Sequence, residues 1–390
     1  DLLKDGGILG FIAPNNWITN AGASIFRDKI LKEGEIKTFI DFGDYKVFEQ
    51  AGIQTMIFVF EKKKPSEKYT VDYLRMTDKN ITEDKLITDI FSRKIKIRIE
   101  PNKLIGGNIA FIEGKSNSIF DRIKDKNNFK LTNKEVGQGI VSAPDKYFIE
   151  KDISKYSTKE KEYLKRYYTS SYKYQSGLSD SYLFYLSANN FNAEEIDNFP
   201  NIKNHFEPFK KELKETRIKY GTPDKPFFFL HRERDERFFA KGPKIVCGVR
   251  TKIPGFFYTE NEYYGSRALN FIKTERINLK YLTGILNSKV SYFWLKNKGK
   301  QLGDLMQVDK GPLMEIPICV GDEKQQKQII ALVDKMLKLN LELQKITKNS
   351  EKWNSIKSEI EKTDKEIDVE VYKLYGFTTE EIEMVEKGLK

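Results

Sequence analysis

Apolar runs of two kinds divide this chain. Near the start they are short and tightly bounded: ILGFIAP (8–14), IKTFIDFG (36–43) and QTMIFVF (54–60) are too short for helices and predict strands. The first carries no charge, which predicts a strand buried on both faces in a parallel sheet. Before it, DLLKDGG closes on paired glycines in the manner of a helix C-terminus. Ile25, Phe26, Ile30 and Leu31 fall at helical spacing and predict a helix over 24–32. VFEQAGIQTMIFVFEKKK predicts a turn into a long strand, and its Lys62–Lys63–Lys64–Pro65 ending predicts a boundary, so the first unit is placed at 1–65.

Residues 66–130 mix short strands (YTVDYLRM, KIKIRI) with polar loops and predict a connecting region. Over 131–320, aromatic-rich runs such as SYLFYLS, PFFFLHR and GFFYTENEYYGS alternate with Gly, Pro, Asn and Asp turns, which predicts β structure with interspersed helices; residues 278–298 predict one of those helices. From 321 to 390 the period lengthens. Ile330, Val333, Leu337 and Leu341, then Ile356, Ile360, Ile367, Val371 and Leu374, predict two antiparallel helices, the second ending at Gly376.

Composition narrows the function. Apolar residues make up 39% of the 390 and aromatics 13%, enough for folded cores. Lys and Arg number 68 against 57 acids, and the net charge of +11 favours a polyanionic partner, nucleic acid first. A basic protein without that role would show the same excess. Cys247 and Cys319 sit in apolar runs and predict buried, inert thiols, while two histidines, His205 and His231, exclude a His-rich metal site. No run of 18 apolar residues occurs, so no membrane helix is expected, and the expected location is cytoplasmic. Pro144–Asp145 and Pro223–Asp224 lack the following Glu-x-Lys strand of a nuclease. The chain opens at Asp1 inside an α/β pattern, as a piece of a longer protein would.

LLKDGGILGFIAPNNWITNAGASIFRDKIL, with Gly6, Gly7, Pro14 and Trp17, resembles the segment after the Asn-Pro-Pro-Tyr motif of TaqI-like adenine-N6 DNA methyltransferases. VFEQAGIQTMIFVFEK resembles the family's hairpin beside the target-base pocket. GQGIVSAPDKYFI, PKIVCGVRTKIPGFFYTENEYYGSRALNFI and YLTGILNSKVSYFWL resemble the TaqI-like target-recognition domain. KQQKQIIALVDKMLKLN and IDVEVYKLYGFTTEEI are similar to the ends of type IIG restriction–modification enzymes. The fold implied is α/β, a partial Rossmann-like methyltransferase sheet, followed by an α+β target-recognition domain and C-terminal helices. The activity implied for the parent enzyme is methyl transfer from S-adenosylmethionine to adenine N6 in duplex DNA. The sequence departs from the family pattern in lacking the glycine-rich cofactor loop and Asn-Pro-Pro-Tyr; its 12 prolines include no Pro-Pro pair. In the family both lie upstream. No cofactor, metal or catalytic tetrapeptide is therefore expected in this chain, which alone should not methylate. Its expected partners are double-stranded DNA and the upstream catalytic part, with or without a nuclease.

The resemblance implies that Phe60 stacks on the flipped target base, with Pro14, Asn15, Asn16 and Trp17 near its pocket. Without it, Phe58 and Phe60 read as same-face core residues and Trp17 as a packing anchor. Residues 230–252 hold seven Lys/Arg against three acids. Arg232, Arg234, Arg237, Arg250 and Lys252 are candidate DNA contacts, because a guanidinium can read guanine with two hydrogen bonds, although a salt-bridged loop would look alike. Tyr258 and Arg267 are further candidates. Lys296, Lys298 and Lys300, in WLKNKGKQLGD, are candidate phosphate contacts. Rival functions are a stand-alone specificity subunit, a methylase-like component of a phage-defence system and an RNA-modifying enzyme.

Overall fold

The computed structural model describes residues 3–48, 54–76, 78–106, 109, 111, 116–302 and 305–389. Its first sheet contains β1 (Ile8–Pro14), β2 (Gly34–Asp41), β3 (Thr55–Lys62), β4 (Tyr69–Arg75) and β5 (Ile95–Ile99), in the order β1-β3-β2-β4-β5. β3 is antiparallel to both β1 and β2, β2 is parallel to β4, and β4 is antiparallel to β5. Helix α1 (Ser24–Glu33) packs Ile30 and Leu31 into a core with Ile36, Phe39, Phe58 and Val71. Helix α2 (Glu83–Ser92) joins β4 to β5, and the short α3 (Pro101–Leu104) follows.

Three expectations change here. The apolar run ILGFIAP is an edge strand, not a buried parallel one: it pairs antiparallel with β3 and exposes Ile8 and Ile12 on one face, Leu9 and Phe11 on the other. The Lys62–Pro65 run is a turn inside the sheet. Lys63 lies 2.8 Å from Glu35 and 3.1 Å from Glu61, so neighbouring strands neutralise a stretch that looks like a linker in isolation. Strands β4 and β5, from the expected connecting region, extend the same sheet. Residues 3–7 form a turn rather than a described helix end, with Gly6 at a φ of +75°. The EQAGI turn (49–53) lies outside the described residues.

Helix α4 (Ser116–Asp125) leads into the β-rich region. One sheet there has the order β14 (Phe256–Thr259), β12 (Lys244–Gly248), β16 (Leu269–Ile272), β6 (Val136–Gln138). A second has the order β15 (Tyr264–Gly265), β8 (Leu164–Tyr168), β11 (Tyr182–Phe184), β7 (Ile149–Glu150). The hairpin β9 (Ser171–Tyr172)–β10 (Gln175–Ser176) and a small sheet β13 (Arg250–Thr251)–β18 (Leu305–Gln307)–β17 (Lys300–Leu302) complete the strands. Short helices α5 (Asp145–Phe148) and α6 (Thr158–Lys161), with α7 (Pro200–Phe206) and α8 (Lys210–Lys219), pack around an aromatic core that includes Phe148, Phe184, Phe206 and Phe239.

Helix α9 (Leu279–Asn287) is buried along almost its whole length. It lies so close to the later helices that a Cβ on Gly284 would stand 2.6 Å from Ile329. Helices α10 (Lys289–Lys298) and α11 (Lys310–Met314) precede α12 (Glu323–Leu343), α13 (Glu351–Tyr375) and α14 (Thr379–Leu389). The expected antiparallel pair is α12–α13, with Lys335 and Glu359 2.5 Å apart and Lys352 and Glu342 3.1 Å apart across it. Gly376 ends α13 at a φ of +68°, the left-handed cap its position predicts. The helices are not a separate unit beyond residue 320. Val333, Ile367 and Val371 share one core with Ile119, Ile245 and Leu282. Both cysteines are buried and free, and no helix among the described residues is long and apolar enough to cross a membrane.

Candidate nucleic-acid interface

The segment Gly139–Val141 is held between two arginine-bearing stretches. Ile140 bridges Ser266, next to Arg267, and Val141 bridges Arg232. A Cβ on Gly139 would lie 1.8 Å from the Ser266 carbonyl, so only glycine permits this approach. Beside it opens a groove of about 760 Å³ between the β8–β9 connection, the β12–β14 turn, the β15–β16 turn and the end of β18. Arg250, Arg267, Lys173, Tyr172, Gln307 and Asp309 line it. Arg250 sits in β13 directly opposite Gln307 in β18.

Among the described residues, no carboxylate pairs with the exposed side chains of Arg232, Arg250, Lys252 or Arg267. The acids of the 230–237 run are engaged elsewhere: Glu233 with Lys225 at 2.9 Å, and Glu236 with the Tyr264 hydroxyl at 2.7 Å. Asp235 does hold an arginine. It lies 2.7 Å from Arg237, whose guanidinium also rests 4.7 Å above the Phe238 ring. Arg237 is thus the pinned member, and Arg232 the unpinned one. Arg234 sits in the left-handed region at a φ of +66° and reaches the Gly139 carbonyl at 3.4 Å.

The positive groups crowd together. Burial and then Arg232 lower the Arg234 pKa. Burial, then Arg234 and Arg237, lower that of Lys310. Burial followed by Arg217, Arg232, Lys225 and Arg234 lowers that of His231. Repulsion among fixed cations on a folded surface is relieved when an anion binds there. Lys310 follows Asp309 of the groove, so this cluster and the groove adjoin.

Other candidates lie elsewhere. Tyr258 donates to Glu260 at 2.5 Å and carries the Lys280 ammonium 5.5 Å from its ring; it packs against the helical core, outside the groove. Lys296 donates to the Gly388 carbonyl at 2.9 Å and lines a different cleft. The backbones of Lys298 and Lys300 end α10 and start β17, but their side chains lie outside the described residues.

That second cleft is at the ends of β1, β2 and β4. Asn15 donates to Asp41 at 3.0 Å, and Asn15, Asn16, Asp41 and Arg75 line it. Trp17 is buried against Phe26, Phe39 and Phe58 as a packing anchor. Phe60 does not offer a face to a base. It is 5% exposed, pairs with Leu9 and Ile36 at the opposite end of the strands, and its ring fills the space above Gly34. Its same-face spacing with Phe58 was the correct signal. The exposed aromatic of this segment is Phe48, 50% exposed in the β2–β3 loop at the Asn15 end. Sequence reasoning also missed Lys173, Gln307, Lys310 and Arg75, isolated polar residues that only the tertiary fold brings to these clefts.

Among the described residues, the paired glycines of the N-terminal segment do not form a glycine-rich cofactor loop. The paired glycines Gly6 and Gly7 sit in the turn before β1, where Gly7 N–H bonds to Lys4 at 2.8 Å, rather than between a strand and a helix N-terminus. Among the described residues, no three His, Cys, Asp or Glu side chains converge as a metal site.

The TaqI-like C-terminal specificity domain matches residues 145–318, and the Eco57I restriction-modification methylase family matches residues 1–48. The Type II methyltransferase M.HindII of Haemophilus influenzae is 25% identical over 392 residues, covering 88% of this chain and 73% of that protein. A putative type II restriction enzyme and methyltransferase of Methanocaldococcus jannaschii, RM.MjaORFECS2P, is 27% identical over 352 residues, covering 88% of this chain and 25% of its own length. The solved structure of the Type IIL restriction-modification enzyme MmeI in complex with DNA shares the fold, with a TM-score of 0.63 at 16% identity, over 98% of this chain and 50% of that one.

Proposed function

We propose that this chain, a relative of restriction-modification methyltransferases carrying a TaqI-like specificity domain, reads a specific duplex DNA sequence for an S-adenosylmethionine-dependent adenine-N6 methyltransferase of type IIG organisation. The observation that carries this reading is the groove itself. Lys173, Arg250, Arg267 and Gln307 come from four separate segments to line one concave surface, and the Arg232–Arg234–Lys310 cluster adjoins it. Arginine and glutamine are the side chains suited to paired hydrogen bonds with guanine and adenine edges, while scattered lysines serve phosphates.

The first sheet is read as the closing part of a Rossmann-like methyltransferase sheet. Among the described residues, β1 has a strand on one side only and is apolar on both faces, so further strands can add at its open edge. The catalytic tetrapeptide and the cofactor loop would come with them. In this reading Asn15, Asn16 and Phe48 border the place where a flipped adenine is held, and the chain alone transfers no methyl group.

Binding of this chain to a library of duplexes, followed by fluorescence anisotropy on the selected site, tests the proposal. A selected sequence should emerge, and affinity should fall steeply as salt rises. Equal binding of all duplexes, or affinity independent of salt, would overturn it.

A further inference from the structure

One wall of the groove is the β13–β18 ladder and the residues that follow it. Gln307 ends β18, Val308 and Asp309 come next, and Arg250 lies directly opposite Gln307 on β13. We infer that Gln307 and Arg250 read two neighbouring base pairs of the bound DNA, through an adenine and a guanine respectively, and that Asp309 is a positioning residue that fixes the Gln307 amide in its adenine-reading orientation. This rests on the DNA-reading proposal above and assigns bases at that site.

The backbone carrying these side chains is anchored from two sides. Val308 is buried; its N–H donates to the Val249 carbonyl at 2.7 Å, and its carbonyl accepts from the buried Asn270 side chain at 2.8 Å. Val249 N–H in turn donates to the Ala268 carbonyl at 2.8 Å. Side chains alternate along an extended chain, so Val308, turned inward, leaves Gln307 and Asp309 together on the other face, where both line the groove. Residues directly opposite across an antiparallel ladder share a face, with Cβ atoms about 5 Å apart. Successive bases stack about 3.4 Å apart, so Arg250 and Gln307 can reach adjacent base pairs from a rigid support, which lowers the ordering cost of binding.

Hydrogen-bond chemistry assigns the bases. Gln307 Nε2 donates to Asp309 Oδ2. An ionised carboxylate only accepts, so the amide nitrogen and not its oxygen must face Asp309. The second amide N–H and Oε1 are then the pair offered to a ligand, and they match adenine, which accepts at N7 and donates from N6. Guanine shows two acceptors on that edge and would set its O6 against Oε1. Without Asp309 the amide could turn over and offer its nitrogen to O6. Arg250, whose guanidinium only donates, matches guanine. Ile253 lines the same groove and is 63% exposed; an apolar side chain near an adenine reader suits the methyl group of the paired thymine.

The test compares this chain with its Gln307→Ala, Asp309→Asn and Arg250→Gln variants, by anisotropy against the selected duplex and every single-base-pair substitution of it. Thermal melting confirms that each variant is folded. Gln307→Ala should abolish the preference for an A·T pair at one position, a loss of about 5- to 150-fold. Arg250→Gln should do the same for a G·C pair at the adjacent position. Asp309→Asn should keep adenine binding and raise affinity for guanine at the Gln307 position, a change of preference that lost packing alone would not produce. A second arm alters only the DNA: replacing N7 by carbon in each adenine in turn should weaken binding of the unaltered chain at one adenine beside a guanine, and Gln307→Ala should be insensitive to that change. Selective binding with no such adenine, or with Gln307→Ala weakening all duplexes alike, overturns the inference and leaves the DNA-reading proposal intact. A cytosine preference lost in Asp309→Asn would make Asp309 a reader itself and overturn its positioning role. Absence of sequence-selective binding by the unaltered chain overturns both.

Discussion

A buried acid shows at the scale of single residues how side chains set local structure here. Glu160 is 1% exposed. It accepts from Ser157 N–H at 2.8 Å, completing a capping box on α6, and from Asn201 and Ile202 N–H at 2.8 and 3.3 Å, capping α7. Burial works to raise its pKa, but the donors around it hold it below the ordinary value. Glu160→Ala should therefore cost about 3 kcal/mol or more, since several buried N–H groups lose an ionised acceptor at once, and urea denaturation measures it. Loss of under about 1 kcal/mol would show that solvent replaces the carboxylate. Among the arginines, exposure and pairing separate function from support. Arg250 has no ion-pair partner among the described residues, whereas Arg237 is pinned to Asp235 at 2.7 Å. Arg250→Gln should cost the selected duplex roughly 1–3 kcal/mol and relax one base position, while Arg237→Gln should leave the base preference intact. Anisotropy on a panel of single-base variants distinguishes them.

Elements are held together by contacts the sequence does not advertise. Helix α10 begins at Lys289, whose N–H donates to Asp368 of α13 at 2.8 Å, so one helix caps another. Burial pushes the Asp368 carboxyl up to about 6, against the pull of Lys173 and Lys289. An acid whose folded pKa lies above its unfolded value of about 3.9 binds more protons when folded, so stability falls as pH rises from about 4 to 6 and the full cost persists above that. Asp368→Asn keeps an acceptor for Lys289 and removes the charge. It should stabilise the chain at pH 7 by roughly 3 kcal/mol, and flatten the pH dependence between 4 and 6; urea midpoints at several pH values would show this. An unchanged midpoint at pH 7 would mean that the Lys289 ammonium, 3.6 Å from Asp368, compensates fully.

The same scale shows what the sequence made legible. Helical spacing located α1, α12 and α13, because each repeats its apolar residues over several turns, and Gly376 marked a true end. Charge-rich turns misled: Lys63 read as a boundary because Glu35 and Glu61, which neutralise it, lie on other segments. Resemblance pointed to a TaqI-like recognition domain, and that family's model matches residues 145–318. It placed a base-stacking role on Phe60, however, although strand alternation already put that ring with Phe58 in the core. Arg75 and Lys173 could not be found from sequence, since each gains its setting from other segments of the chain, Arg75 from the cleft it shares with Asn15 and Asp41 and Lys173 from the groove it shares with Arg250 and Gln307.

On the scale of the whole molecule, one exposed apolar patch stands apart from the cation-lined clefts. Cations gather around the groove and at the strand-end cleft, while the largest exposed apolar residues include Ile8, Phe11, Ile12, Ile25 and Phe26 on β1 and α1. A seven-residue edge strand without a single charge is an open template for another strand. In the proposed enzyme, preceding strands cover it; in this chain alone it is bare. The chain should therefore self-associate as its concentration rises, through β1 rather than through the groove. Phe11→Lys puts a charge on that edge at a position 53% exposed, at the expense of an edge-on contact between its ring and that of Phe58, with centroids 6.4 Å apart. It should lower the weight-average mass in sedimentation to that of a monomer, while leaving duplex affinity and its salt slope unchanged. Self-association that survives Phe11→Lys but disappears when duplex DNA is added would place the contact in the groove instead, and would mean that the exposed strand is not the surface on which this protein joins its neighbour.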